Sequence, residues 1–223
     1  MLPKLFVVVV LMTFVSITSA SWIAGVNSGY LGIYDTRLSN GEKIMGYAPG
    51  FLVTGLVEYD FLEFLGARVE AGYARAKQEE GALYSFHVNQ TEADIEFKPY
   101  FCVCLPVILP NVEWDAGSGK NKLAIIVAPG LTYSIVDAKR KLQNWYDYSS
   151  EAPVQTIGFK SNTPDLTGIV GVRYTLFNGI SLWTEFKIWG EHLVAPNGTP
   201  EPLQTAQDAT VRTFTLGAGY TVF

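Results

Sequence analysis

From Ser21 onward the chain alternates apolar and polar positions between clusters of turn residues, and no stretch longer than two turns keeps a helical period. Period two picks out eight segments, at residues 22–36, 45–60, 64–78, 90–104, 122–137, 165–177, 180–191 and 208–223. The second sets Tyr47, Phe51, Val53, Val57 and Tyr59 against Ala48, Gly50, Thr54 and Glu58, with Leu52 and Leu56 on the latter face. The third sets Leu65, Ala67, Val69, Ala71 and Tyr73 against Gly66, Arg68, Glu70 and Gly72. In the fourth, Ala93, Ile95, Phe97, Phe101 and Val103 oppose Asp94, Glu96, Lys98 and Tyr100. The fifth sets Leu123, Ile125, Val127, Leu131 and Tyr133 against Ala124, Ala128, Gly130, Thr132 and Ser134. The sixth and seventh oppose Leu166, Val170, Val172 and Tyr174 to Thr167, Gly171 and Arg173, and Ile180, Leu182, Phe186 and Ile188 to Ser181, Trp183, Glu185, Lys187 and Trp189. The last sets Phe214, Leu216, Ala218, Tyr220 and Val222 against Thr213, Thr215, Gly217, Gly219 and Thr221. Only the first segment has no clean phase; its Gly25, Gly29 and Gly32 suit bends or close packing.

Most apolar faces persist for about nine residues, the length a tilted strand needs to cross a bilayer. The opposite faces carry small residues and charges, the reverse of a soluble barrel. Glu58, Arg68, Glu70, Asp94, Glu96, Lys98, Arg173, Glu185 and Lys187 all fall mid-segment on the polar face, which predicts a structural ion network in a lumen. On a lipid face, a Lys or Arg at the midplane would cost ~2–4 kcal/mol. Four charges share the apolar phase, Arg75, Lys77, Asp137 and Arg212, each at the strand end adjoining a longer loop, where headgroups begin. Aromatic residues sort toward two rims, Tyr47, Tyr73 and Tyr133 at the long-loop side and Tyr59, Phe101, Tyr174 and Tyr220 at the other. The pattern predicts an all-β fold, an eight-stranded antiparallel up-and-down transmembrane β-barrel.

The connections support this. Residues 61–63 and Asn178-Gly179 read as tight turns, while 79–89, 138–164 and 192–207 read as long loops. Residues 105–121, with Pro106, Pro110 and Gly117-Ser118-Gly119, read as a long link on the short side, against the rule. Pro49, Pro99 and Pro129 fall inside strands, where each removes a ladder hydrogen bond; the matching Ala48-Pro49-Gly50 and Ala128-Pro129-Gly130 suggest bulges.

The start of the chain changes the compartment. Lys4, the apolar run Leu5–Val15 and the small residues Thr18 and Ala20 form the three-part pattern of a secretory signal, giving a signal peptide at 1–20 and a barrel at 21–223. The apolar run is too short for a membrane helix, which takes ~20 residues. Removing Lys4 takes the net charge from −5 to −6; so acidic a chain has no global bias toward nucleic acid, and no stretch combines clustered bases with stacking aromatics at a credible site for it. Cys102 and Cys104 lie two apart, so their Cα atoms would sit ~6.5–7 Å apart in a strand, at the edge of disulfide geometry. They read as two small inward-facing residues, and two thiols are too few for a zinc site.

Eight alternating segments ending in Gly219-Tyr220-Thr221-Val222-Phe223 resemble the small outer-membrane barrels of the OmpA/OmpX type. The resemblance implies an outer-membrane location, outer-membrane lipid as surroundings, and a last strand read by the barrel-assembly machinery during insertion. Phe223 is out of phase with Tyr220 and Val222, a departure from that group's ending.

Candidate chemistry is sparse. Ser85 and His87 lie two apart near an outer loop, but no third orienting group or oxyanion site accompanies them. His192 stands beside Glu191, and two histidines make no metal cluster. No catalytic residue, cofactor site or metal site is assigned. The loop from 138 to 164 is the best contact site: Lys139, Arg140 and Lys141 could meet lipopolysaccharide phosphates or an anionic surface partner, with Trp145 and Tyr146 supplying area. Because side chains fill so narrow a lumen, the expected role is structural or surface interaction with little or no open pore. The alternatives are a lipid-modifying enzyme using Ser85 and His87, and a soluble periplasmic barrel binding a small apolar ligand.

Overall fold

A computed structural model describes residues 20–38, 47–78, 82–85, 88–144, 154–161, 164–194 and 207–222; the signal sequence read at 1–20 lies outside them apart from Ala20, as does Phe223. The strands are β1 (Ser21–Leu38), β2 (Tyr47–Leu62), β3 (Leu65–Gln78), β4 (Ala82–Ser85), β5 (Val88–Cys104), β6 (Val107–Ile108), β7 (Val112–Asp115), β8 (Lys120–Asn144), β9 (Val154–Ser161), β10 (Pro164–Thr175), β11 (Ile180–Leu193) and β12 (Gln207–Val222). Eight of them, β1, β2, β3, β5, β8, β10, β11 and β12, pair antiparallel in that circuit, and β12 returns to β1 to close a barrel. Closure leaves no sheet edge to face hydrocarbon, where unpaired N–H and C=O groups have no partner.

The exposed large side chains are the lipid-compatible ones. Val26, Val57, Val69, Val103, Ile125, Leu131, Val170, Leu182, Phe186 and Leu216 point outward, while Arg68, Glu185 and Lys187 are enclosed. A water-soluble container would have the opposite arrangement. The wall is that of a membrane-spanning barrel.

Two aromatic belts bound the apolar band. At the long-loop end Phe186, Phe214, Tyr30 and Phe51 neighbour one another across successive ladders, and Phe51 meets Tyr73 at 5.7 Å between rings. At the short-turn end Trp22 stands 4.5 Å from Tyr59, and Trp114 stacks on Tyr174 at 5.6 Å. Phe101, read from the sequence as part of the inner rim, pairs with Tyr133 and belongs to the outer belt. The first segment, without phase in the sequence, has one here: Trp22, Val26 and Tyr30 face out, and Ile23, Asn27 and Leu31 face in.

The anomalous link 105–121 is no loop. Cys104 faces Gly130 in mid-wall, and the ladder along β8 resumes with Val107 opposite Val127, then Val112 opposite Leu123. β5, β6 and β7 therefore form one interrupted stave against the 25-residue β8, and Leu105 and Leu109 continue its outward apolar face. The real turn is Ala116–Gly119, closed by the Ala116 N–H donating to the Gly119 carbonyl at 2.8 Å. With Glu63-Phe64 and Asn178-Gly179, where Gly179 takes a φ of +86°, the described connections at this end are all tight. β9 likewise continues the track of β10 along β8.

The prolines divide into two kinds. Pro49 and Pro99 lie in bulges, where the ladders step from Leu31/Gly50 to Ile33/Tyr47 and from Gly72/Tyr100 to Ala74/Phe97. Pro129 stays in register opposite Gly168, so the predicted bulge is absent there. The N–H it lacks would point, with its carbonyl, toward the break at Leu105-Pro106, where its carbonyl accepts the Leu105 N–H at 3.0 Å.

The extra residue at Lys98-Pro99 has a large consequence, because a one-residue shift sends every side chain beyond it to the other face. Above it Ile95 and Phe97 turn inward, both 0% exposed, and Asp94, Glu96 and Lys98 turn outward. A single phase carried through the whole segment predicts those three charges in the lumen. They lie on the outer wall, beyond the aromatic belt.

Candidate functional site

Six of the nine predicted network residues meet inside the barrel: Glu58, Arg68, Glu70, Arg173, Glu185 and Lys187. Period two puts each of them on the inner face of β2, β3, β10 or β11. Arg68 on β3 donates from Nε to Glu58 Oε2 at 2.7 Å and from Nη1 to Glu185 Oε1 at 2.5 Å. Arg173 donates to the other Glu58 oxygen at 2.5 Å and reaches Asp60 Oδ2 at 3.4 Å. Lys187 donates to Glu70 Oε2 at 2.6 Å and lies over the Tyr100 ring, 5.3 Å from its centre. Thr54 adds a hydrogen bond to Glu70. Such mutual satisfaction is what makes buried charge tolerable, since unpaired ions inside cost several kcal/mol each.

Asn27, which sequence reading did not single out, sits at the crossing point. Its amide donates to Glu70 at 3.4 Å and Glu185 at 3.5 Å, and its oxygen accepts the Trp183 indole N–H. The inner face of β1 mixes Ser21, Ile23, Asn27, Leu31 and Ile33, so polarity alone does not reveal the phase. Trp183 lies flat against β1 and β12, where a Cβ at Gly25 or Gly217 would overlap the indole. Only glycine leaves room for this approach.

Toward the long-loop end the interior changes character. Leu31, Ile33, Leu52, Ala74, Ala76, Ile95, Phe97, Val136, Trp189, Leu193 and Val211 form one buried apolar cluster. Trp189 packs edge-on to Phe97 at 6.1 Å and lies 5.3 Å from Tyr100. At the same level the outer wall becomes charged: Arg75 bridges Asp94 at 2.6 Å and Glu96 at 3.3 Å, and Lys98 bridges Glu96 at 2.6 Å. The barrel is thus built in two storeys, one polar inside and greasy outside, the other mostly apolar inside, with Glu191 buried against Ser134 and Trp189, and charged outside. The second has the polarity of a soluble protein, which marks where water begins.

At the short-turn mouth a cavity of about 260 Å³ opens between Ser21, Asp60, Glu113, Lys122, Arg173 and Thr221. Lys122 bridges the Glu113 carboxylate there at 2.9 Å. Cys102 and Cys104 are free, buried and inward-facing, as two small lumen residues.

Of the predicted contact loop, Lys139 is exposed on β8 opposite Asp94; Arg140 and Lys141 are placed by backbone only, opposite Ala93 and Glu92. Trp145 and Tyr146 lie outside the described residues, as does His87, and Ser85 is placed only as a backbone position in β4. His192 contacts Asp208 at 2.5 Å on the surface. Among the described residues no group of three His, Cys, Asp or Glu is placed to hold a metal ion.

No family model matches this sequence, and no curated protein matches it. In structure the chain is similar to several solved membrane barrels. Neisserial surface protein A is 13% identical, with 91% of this chain and 98% of that chain covered and a TM-score of 0.49. The outer membrane protein AlkL is 17% identical, with 91% and 90% covered and a TM-score of 0.49. The outer membrane protein OprG from Pseudomonas aeruginosa is 13% identical, with 91% and 96% covered and a TM-score of 0.46. Likeness at this level transfers no residue roles.

Proposed function

We propose that this chain is a closed, non-catalytic integral protein of a bacterial outer membrane, exported by its leader and inserted by the barrel-assembly machinery, that anchors its long loops at the outer surface. One observation carries the reading: the lumen is filled across its section, first by the Arg68–Glu185–Glu58 and Lys187–Glu70 pairs, whose side chains are 0–2% exposed, and then by the apolar cluster around Trp189 and Phe97. A path for ions would have to break several charge-assisted bonds and cross a close-packed, mostly apolar plug. The purified barrel reconstituted in planar bilayers is therefore expected to give no stable unitary conductance. Reproducible stepwise currents would overturn the reading.

The second element concerns the outer rim. Lys139, Arg140 and Lys141 stand at the end of β8 that continues past the aromatic belt, where lipopolysaccharide phosphates lie in an outer membrane. Asp94 is opposite Lys139 across the ladder, so an anionic partner has to compete with it there. Replacing all three bases is expected to weaken surface binding to anionic lipid; unchanged binding and membrane permeability would refute the contact.

A further inference from the structure

The bonded lumen network is one positive charge short. Glu58, Asp60, Glu70 and Glu185 supply four carboxylates, and Arg68, Arg173 and Lys187 three cations. The shortfall is local. Glu58, Glu70 and Glu185 each accept a charged donor at 2.5–2.7 Å, whereas Asp60 Oδ2 has only long contacts with donors, 3.4 Å from Arg173 and 3.3 Å from Ser21 Oγ, and its carboxyl also stands against that of Glu58. Asp60 is 7% exposed, and its Oδ1 is buried with no hydrogen-bond partner. A buried carboxylate in that state costs several kcal/mol unless another donor arrives.

The missing donor is supplied by the chain's own processing. Ser21 is opposite Asp60 in the β1–β2 ladder, with its hydroxyl turned toward the carboxylate. A serine nitrogen lies ~3 Å from its own Oγ by covalent geometry, so the Ser21 nitrogen is within about 6 Å of Asp60. Ala20 and Ser21 both line the 260 Å³ cavity, which leaves space for a rotated amine. We propose that removal of the leader after Ala20 creates the last cation of the network: the Ser21 α-ammonium turns into the mouth and pairs with Asp60. While the leader is attached, that nitrogen is a neutral amide. Hydrolysis of the Ala20–Ser21 bond adds water, leaving a carboxylate on the leader and an ammonium on the barrel. Folding of the lumen is thereby completed only in the cleaved chain. The inference rests on the proposed export and cut, and the test separates the two.

Intact-mass measurement of the barrel extracted from membranes is expected to give a chain beginning at Ser21; any other start overturns the proposal. Separately, the chain from Ser21 is released by a protease that leaves Ser21 first, refolded in detergent, and compared with the same chain carrying an Ala-Gly extension. The extension is expected to lower the folding equilibrium constant about tenfold, the size of a charge-assisted hydrogen bond. In an Asp60→Asn background the same extension is expected to change it less than twofold. Equal effects in both backgrounds would refute the pairing, and so would no effect in either, the outcome if Asp60 shares a proton with Glu58 instead. A second readout holds if Asp60→Asn folds poorly: acylation of the α-amine at neutral pH should be at least tenfold slower in folded than in unfolded Ser21-start chain. Equal rates would also refute it.

Discussion

Replacing Lys187 with Met removes one ion from the most enclosed pair in the barrel while keeping most of the side-chain volume. Lys187 Nζ and Glu70 Oε2 are 2.6 Å apart and both side chains are 0% exposed. At an effective dielectric near 20, two unit charges at that distance attract by about 6 kcal/mol. Much of that attraction offsets their desolvation, so the net worth of the pair is small. Its removal by halves is not, because Glu70 would remain charged in a closed space, at a cost of ~3–5 kcal/mol. Thr54 and Asn27 still donate to Glu70, which argues for the lower end, about 3 kcal/mol. The double change Lys187→Met with Glu70→Gln leaves no orphan charge and is expected to cost ~1 kcal/mol or less. The assay is urea unfolding in lipid vesicles, followed by tryptophan fluorescence and heat-modifiable gel migration. The four proteins of the cycle should give a coupling above ~2 kcal/mol. If the single change costs under ~1 kcal/mol, or if the two changes simply add, the pair is not the dry, mutually dependent unit described above.

Two further outcomes follow from other parts of the barrel. Gly217→Ala sets a methyl against the Trp183 indole and is expected to cost ~1–3 kcal/mol of unfolding free energy and to shift the near-ultraviolet tryptophan signal; a neutral effect would mean that the indole does not lie against the β12 wall. The phase change at Lys98-Pro99 predicts that Phe97→Glu prevents folding while Glu96→Leu is tolerated within ~1 kcal/mol, read by gel migration after refolding; the reverse order would return Glu96 to the lumen.

Much of the barrel was legible because a membrane strand must show hydrocarbon-compatible groups on one face for its whole crossing. Val69, Val170, Phe186 and Leu216 declared the outside, and Arg68, Glu185 and Lys187 the inside, from spacing alone. The rule stops working where its cause stops. Beyond the outer belt water replaces lipid, so the same alternation carries the opposite meaning, and a bulge makes the switch within one strand. Asp94, Glu96 and Lys98 were misplaced for that reason. Pro106 and Pro110 disguised a strand as a loop, because the ladder along β8 survives interruptions that break the apparent period. Asn27 and Gly217 were invisible for another reason, and Gly25 showed only a fitness for bends or close packing: their importance depends on which side chain comes across the lumen to meet them.

The two storeys also fix how deep the molecule can float. Eight residues separate Trp22 from Tyr30 on the outer face of β1, a rise of roughly 26 Å along the strand and ~20 Å along the membrane normal at a tilt near 40°. A closed wall cannot lean to shorten itself as a lone helix does, and the charged collar above the upper belt forbids sinking. Thickness mismatch must therefore be absorbed by the lipids, through compression of their chains at the perimeter. A thin host bilayer would hold this protein without distortion, and a thicker one would resist its insertion.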